Sequence, residues 1–280
     1  MIWFVDLHHN LRFFFNQCET IMNIVKFMIF FLKIPPWNAE KNIIIQGYWS
    51  VSYMSNFHLL THVCQKERMS QGRSYIDQNI TIHNCFFSRN SFYSGNGAIL
   101  YVSCGAFDLD IFGTFFFNCS SMNDGGVVWF SSQSSTMKKL CISQCWAASE
   151  GHFVFIYAFS KNQIDSISLS SCSPLINGKI PLFMCTGNQL MLNCNISSNN
   201  AEEISGIMIH SPKFFTCSLC TFANNKVSNW ICFFFWSNNG TMNFTNIIHN
   251  DSPSDYGVIY VSGDGSYTMN SCIFDLNKNS

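Results

Sequence analysis

Charge is scarce in this chain. Lys, Arg, Asp and Glu make up 11% of 280 residues, and the formal net charge is −1 at pH 7. A surface so balanced offers no basic field for nucleic acid or an anionic membrane. Arginine occurs only at Arg12, Arg68, Arg73 and Arg89, which leaves few fixed cations for clamping an acidic substrate. Proline is rare as well, with six residues, so extended segments run without interruption. No segment reaches the roughly 18 to 20 uninterrupted apolar residues of a membrane helix. The nearest, residues 21–34, is broken by Asn23, Lys26 and Lys33. Disorder is excluded from the other side, because 48% of the residues are hydrophobic and can fill a large core.

What is abundant recurs in order. The chain returns to Cys-x-apolar-x-x-Asn in NCFFSRN, NCNISSNN, LCTFANN and SCIFDLN. Internal repeats decide the fold and are sought first. With the Cys as anchor, the positions are Cys85, Thr114, Cys145, Cys172, Cys194, Cys220, Asn246 and Cys272. The last three intervals are 26 residues each, and the earlier ones range from 22 to 31. Five places after the anchors stand Asn90, Asn177, Asn199, Asn225 and Asn277, with Cys119, Glu150 and Asp251 in the other units. A Gly-led apolar run follows in most units, as in GAILYV, GVVWFS and GVIYVS.

The local period is two. In QLMLNCNIS, Leu190, Leu192, Cys194 and Ile196 alternate, the signature of a strand. Met242, Phe244, Asn246 and Ile248 read the same way. A unit of this size cannot bury an apolar face alone. Stacking the units in parallel, about 4.8 Å apart, does so and turns each column into a ladder. A slim Cys or Thr suits a crowded bend, and Asn suits a left-handed turn and can bond along the stack. The expected fold is all-β, a parallel β-helix of about eight coils. Ladder side chains point in parallel, so the ladder cysteines are expected as free thiols rather than the disulfides that 14 cysteines would otherwise suggest.

The FxxN halves, Phe87 to Asn90, Phe222 to Asn225 and Phe274 to Asn277, together with the Gly-rich segments at Gly97-Ala98 and Gly125-Gly126, resemble the repeats of the polymorphic outer-membrane proteins. That resemblance covers residues 74–280. It implies a right-handed parallel β-helix of the pectin-lyase-like type and a surface or adhesive role. Residues 1–73 fit less well and read as degenerate coils or a cap, with a signal-like segment at 22–36.

Function is read from what the repeat leaves over. Enzymes on such a coil need carboxylates converging on one face with a cation. Asp77, Asp108 and Asp110 lie on neighbouring turns at differing offsets, and Asp264 is far along the stack. Cys217-x-x-Cys220 lacks a second pair, and His58, His62 and Cys64 lack the HExxH pattern, so neither is read as a metal site. No catalytic residue, metal or cofactor is expected. Six N-x-[ST] sequons occur, and Asn195, between inward Cys194 and Ile196, is the expected glycan acceptor, whereas Asn118 is expected near a buried corner. The resulting expectation is a non-enzymatic, adhesin-like protein at the cell surface or outside the cell, binding glycans or protein partners. The alternatives are a carbohydrate-active enzyme on the same fold, an intracellular protein, or a decayed copy without function.

Overall fold

A computed structural model describes residues 62–65, 68–69 and 79–279, except 93–94, 104–105, 173–177, 237–238, 254 and 256. They belong to one compact unit, Ile45–Ser280. Most of the region expected as a cap (residues 1–61, 66–67 and 70–73), the signal-like segment, His58, Asp77 and Asn177 lie outside the described residues.

The chain forms a parallel β-solenoid of about seven turns, spaced about 26 residues apart. No helix occurs among the described residues. The turn from Ile80 carries four strands. Ile80–His83 builds the first wall, Cys85–Ser88 the second, Ser91–Phe92 the short third and Leu100–Val102 the fourth. The strands of the first, second and fourth walls pair in parallel from turn to turn, and the short third wall forms two separate parallel sheets. Phe87 faces Phe116, then Ile142, Leu169, Ile196, Phe222, Ile247 and Phe274. In the middle turns the strands fuse, so that Val128–Ser143 and Glu150–Ser170 each bend through more than one wall. His62–Gln65 and Arg68–Met69 pair onto Cys85–Ser88 and Ser91–Phe92. The stack therefore begins upstream of residue 74, and His62 and Cys64 lie on a strand rather than on a helix.

Alternation places one side of every strand inside. The core runs the length of the solenoid through Leu109, Phe116, Phe130, Met137, Ile164, Met191, Phe222 and Phe235. Removing these side chains from water is the main stabilising term, at about 1.5 to 3 kcal/mol for each large apolar residue.

Two sharp corners define each turn. The residues Asn84, Gly113, Lys139, Ser166, Asn193, Leu219, Phe244 and Ser271 all have positive φ and join the first wall to the second. Arg89, Asn118, Gln144, Ser171, Ser198, Asn224, His249 and Leu276 do the same between the second and third. The residue after each corner points inward, and this sets the two ladders.

Candidate functional site

The inward residues after the first corner are Cys85, Thr114, Leu140, Ile167, Cys194, Cys220, Thr245 and Cys272, all buried except half-buried Cys272. A Cys or Thr there donates to the carbonyl two residues back, which also accepts the N–H of the preceding turn's corner residue. Thr114 Oγ1 reaches Phe112 O at 3.0 Å, Thr245 Oγ1 reaches Asn243 O at 3.1 Å, and Cys220 Sγ reaches Ser218 O at 3.3 Å. The shared short donor is why Thr replaces Cys.

This register corrects three expected anchors. Asn246 stands one place beyond the column, half-exposed, because the corner falls at Phe244 and turns Thr245 inward. Phe244 is accordingly exposed rather than alternating inward. Cys145 and Cys172 belong to the other ladder, after the second corner. That ladder runs Asn90, Cys119, Cys145, Cys172, Asn199, Asn225, Asn250 and Asn277. Cys172 takes the place expected of Asn177, Cys145 that of Glu150, and Asn250 that of Asp251. The ladder steps from Asn199 are 26, 25 and 27 residues.

The asparagines staple three turns together. Asn225 Nδ2 donates to Ile196 O of the preceding turn at 2.9 Å and to Asn250 Oδ1 of the next at 3.0 Å. Its own N–H donates to the same Oδ1 at 3.0 Å. Asn199 and Asn250 repeat the pattern. The ladder Asn is not the left-handed residue; it follows it. At the other end the pattern fails. Asn90 is followed by Cys119, and both its side-chain polar atoms are buried without a partner. Cys145, Cys172, Cys194 and Cys220 carry free thiols, and burial pushes the Cys172 thiol up to about 12. Among the described residues no group of three or more His, Cys, Asp or Glu is placed to hold a metal ion, Cys217 and Cys220 included.

Asn195 does face outward, but it is only half-exposed and its Oδ1 is buried. Asn118 sits exposed on a left-handed corner, so it is the more open acceptor. Asn250 is a ladder residue, fully buried.

With both ladders inside, the outer faces remain for function. The first wall presents three outward columns. Its middle column reads Thr81, Asp110, Thr136, Gln163, Leu190, Thr216, Thr241 and Thr268. From Asn188 to Asn270 no outward position of this wall carries a charge. Asn270 Nδ2 donates to Asn243 Oδ1 at 2.9 Å, and Asn243 Nδ2 to Ser218 Oγ at 3.5 Å, so the amides are held in orientation. Phe214 stands at the edge, 42% exposed.

The charges gather at the other end of the same wall. His83, Asp108, Asp110, Phe112, Ser134, Thr136 and Lys138 line a groove of about 500 Å³. His83 Nε2 lies 3.0 Å from Asp110 Oδ2, and Lys139 Nζ sits 5.2 Å from the Phe112 ring centroid. Asp108 and Asp110 project from the same side of one strand. Differing sequence offsets hid this convergence, because the turn from Asp110 to Thr136 is shorter than that from Thr81 to Asp110.

No family model, curated protein or solved structure matches this chain. The likeness to polymorphic outer-membrane repeats therefore rests on the motifs themselves.

Proposed function

We propose that this solenoid is a non-enzymatic interaction protein that binds glycans along the outer face of its first wall, on a cell surface or outside the cell. The supporting observation is the uncharged tract from Asn188 to Asn270, with its Thr216, Thr241, Thr268 column and oriented amides beside exposed Phe214. Sugars present paired hydroxyl donors and acceptors on an apolar ring. Fixed hydroxyls, amides and an aromatic edge match both without the desolvation that charges would require. Stacked turns repeat these groups along an extended surface. The test is affinity electrophoresis of the full chain against a panel of neutral polysaccharides. Retardation by at least one, weakened about tenfold in a Phe214→Ala/Thr241→Val double variant, supports the reading; a chain retarded by none of them opposes it. For location, the expected outcome in the secretory route is a mobility shift on release of Asn-linked glycans that Asn118→Gln reduces.

A second reading has its own support. The groove that joins Asp108, Asp110, His83 and Lys138 has the carboxylates and cation that a glycan-cleaving site needs. New reducing ends from an acidic polysaccharide, abolished by Asp110→Asn, would favour it.

A further inference from the structure

The fourth wall carries a separate apolar cluster on its outer side. Leu182, Met184, Ile207 and Ile209 point into the core. Phe183, Cys185 and Phe234 point away from it, with Met208 packed against them. Two soft donors meet at its edge, and a third stands on the same face of the wall. Cys185 and His210 are register partners on adjacent turns, and Cys185 Sγ lies 3.5 Å from His210 Nδ1. Met208 precedes His210 by two residues on the same strand, so its thioether leaves the wall on the same side.

We propose that Cys185, Met208 and His210 form a binding site for a soft monovalent d¹⁰ ion, Cu(I).

The donor set selects the ion. Thiolate and thioether sulfur favour Cu(I), imidazole suits copper, and hard cations want oxygen. The register neighbours of the trio are Tyr157, Trp236, Phe183 and Phe234, and Glu150 is the carboxylate whose charge reaches Cys185; one such oxygen donor does not make the cage that calcium or magnesium requires. An ion at metal–ligand bond lengths of about 2.0 to 2.3 Å from Sγ and Nδ1 would subtend about 110° between them. That angle suits three-fold coordination with Met208 as the third ligand. Zinc is disfavoured, because a thioether is a poor zinc ligand and the described residues supply no fourth donor. Cys185 is buried while His210 is half-exposed and Trp236 is 49% exposed, which leaves a side for ion entry. The Trp236 ring, 4.9 Å from that of His210, adds an aromatic face beside the cation. Binding replaces the S–H bond by an S–Cu bond, releases one proton to solvent and transfers no electron.

The experiment is an anaerobic Cu(I) competition against bicinchoninate with the reduced full chain. The expected result is one equivalent withdrawn from the chelator by the wild-type chain. His210→Ala and Met208→Leu should each weaken the withdrawal at least tenfold while circular dichroism stays unchanged. Cys185→Ser should remove the ultraviolet thiolate-to-copper band. No withdrawal by the wild-type chain, equal withdrawal by the His210 and Met208 variants, or preference for Zn²⁺ would each overturn the assignment.

Discussion

The ladder asparagine earns its place by the number of backbone groups it satisfies, not by turn propensity. Asn225 serves the Ile196 carbonyl below it, and its Oδ1 accepts both the N–H and Nδ2 of Asn199. Replacing it removes partners from buried polar groups on the two neighbouring turns, and each stranded group carries a penalty of roughly 1 to 3 kcal/mol. Asn225→Leu is therefore expected to lose at least about 3 kcal/mol, read as a lowered urea midpoint. Asn90 is the converse, since its amide has no counterpart in Cys119. The sequence motif showed that Asn matters and where it recurs. It did not show why, because the left-handed residue is its neighbour.

The corner is the element that organises the rest. Its conformation normally selects Gly or Asn, yet Lys139, Leu219, Phe244 and His249 occupy it here. Tertiary stacking imposes the conformation on residues that resist it locally. His249 is exposed with φ 55°, so little packing is lost on shortening it. His249→Gly is expected to stabilise the protein by about 1 kcal/mol, and His249→Val to destabilise it by a similar amount; thermal midpoints decide. The same irregularity explains what was readable. Strand period, parallel stacking and the ladder from Cys194 and Asn199 were visible because Cys and Asn differ there. In the sequence Cys145 and Cys172 read as first-corner residues, because both corners accept a small thiol donor. Only the backbone tells one corner from the other. The outer-face groupings depend on that register, so the groove and the Cys185–His210 pair were hidden until it was known.

At the scale of the molecule, few groups titrate, so a single buried base can shape the pH response. His152 is fully buried, and its Nδ1 accepts the Ala147 N–H at 3.0 Å. Only glycine fits opposite the ring, since a Cβ on Gly178 would stand 1.7 Å from Cε1. Burial pushes the His152 pKa down to about 4. In the unfolded chain it returns to about 6.5, so the unfolded state binds the proton first. Its stabilising contribution is complete above pH 6.5 and is lost as pH falls towards 4, by on the order of 3 kcal/mol. Urea midpoints should fall across that window, and His152→Gln should flatten the fall. A further consequence concerns the two corners, which stand five residues apart in every turn, from Asn84 and Arg89 to Ser271 and Leu276. All variation in turn length is thus confined to the joints on either side of the fourth wall. Rigid cassettes alternate with elastic ones, and new peptide can enter the elastic joints without disturbing either ladder, which makes the molecule a natural frame for displaying inserted sequence.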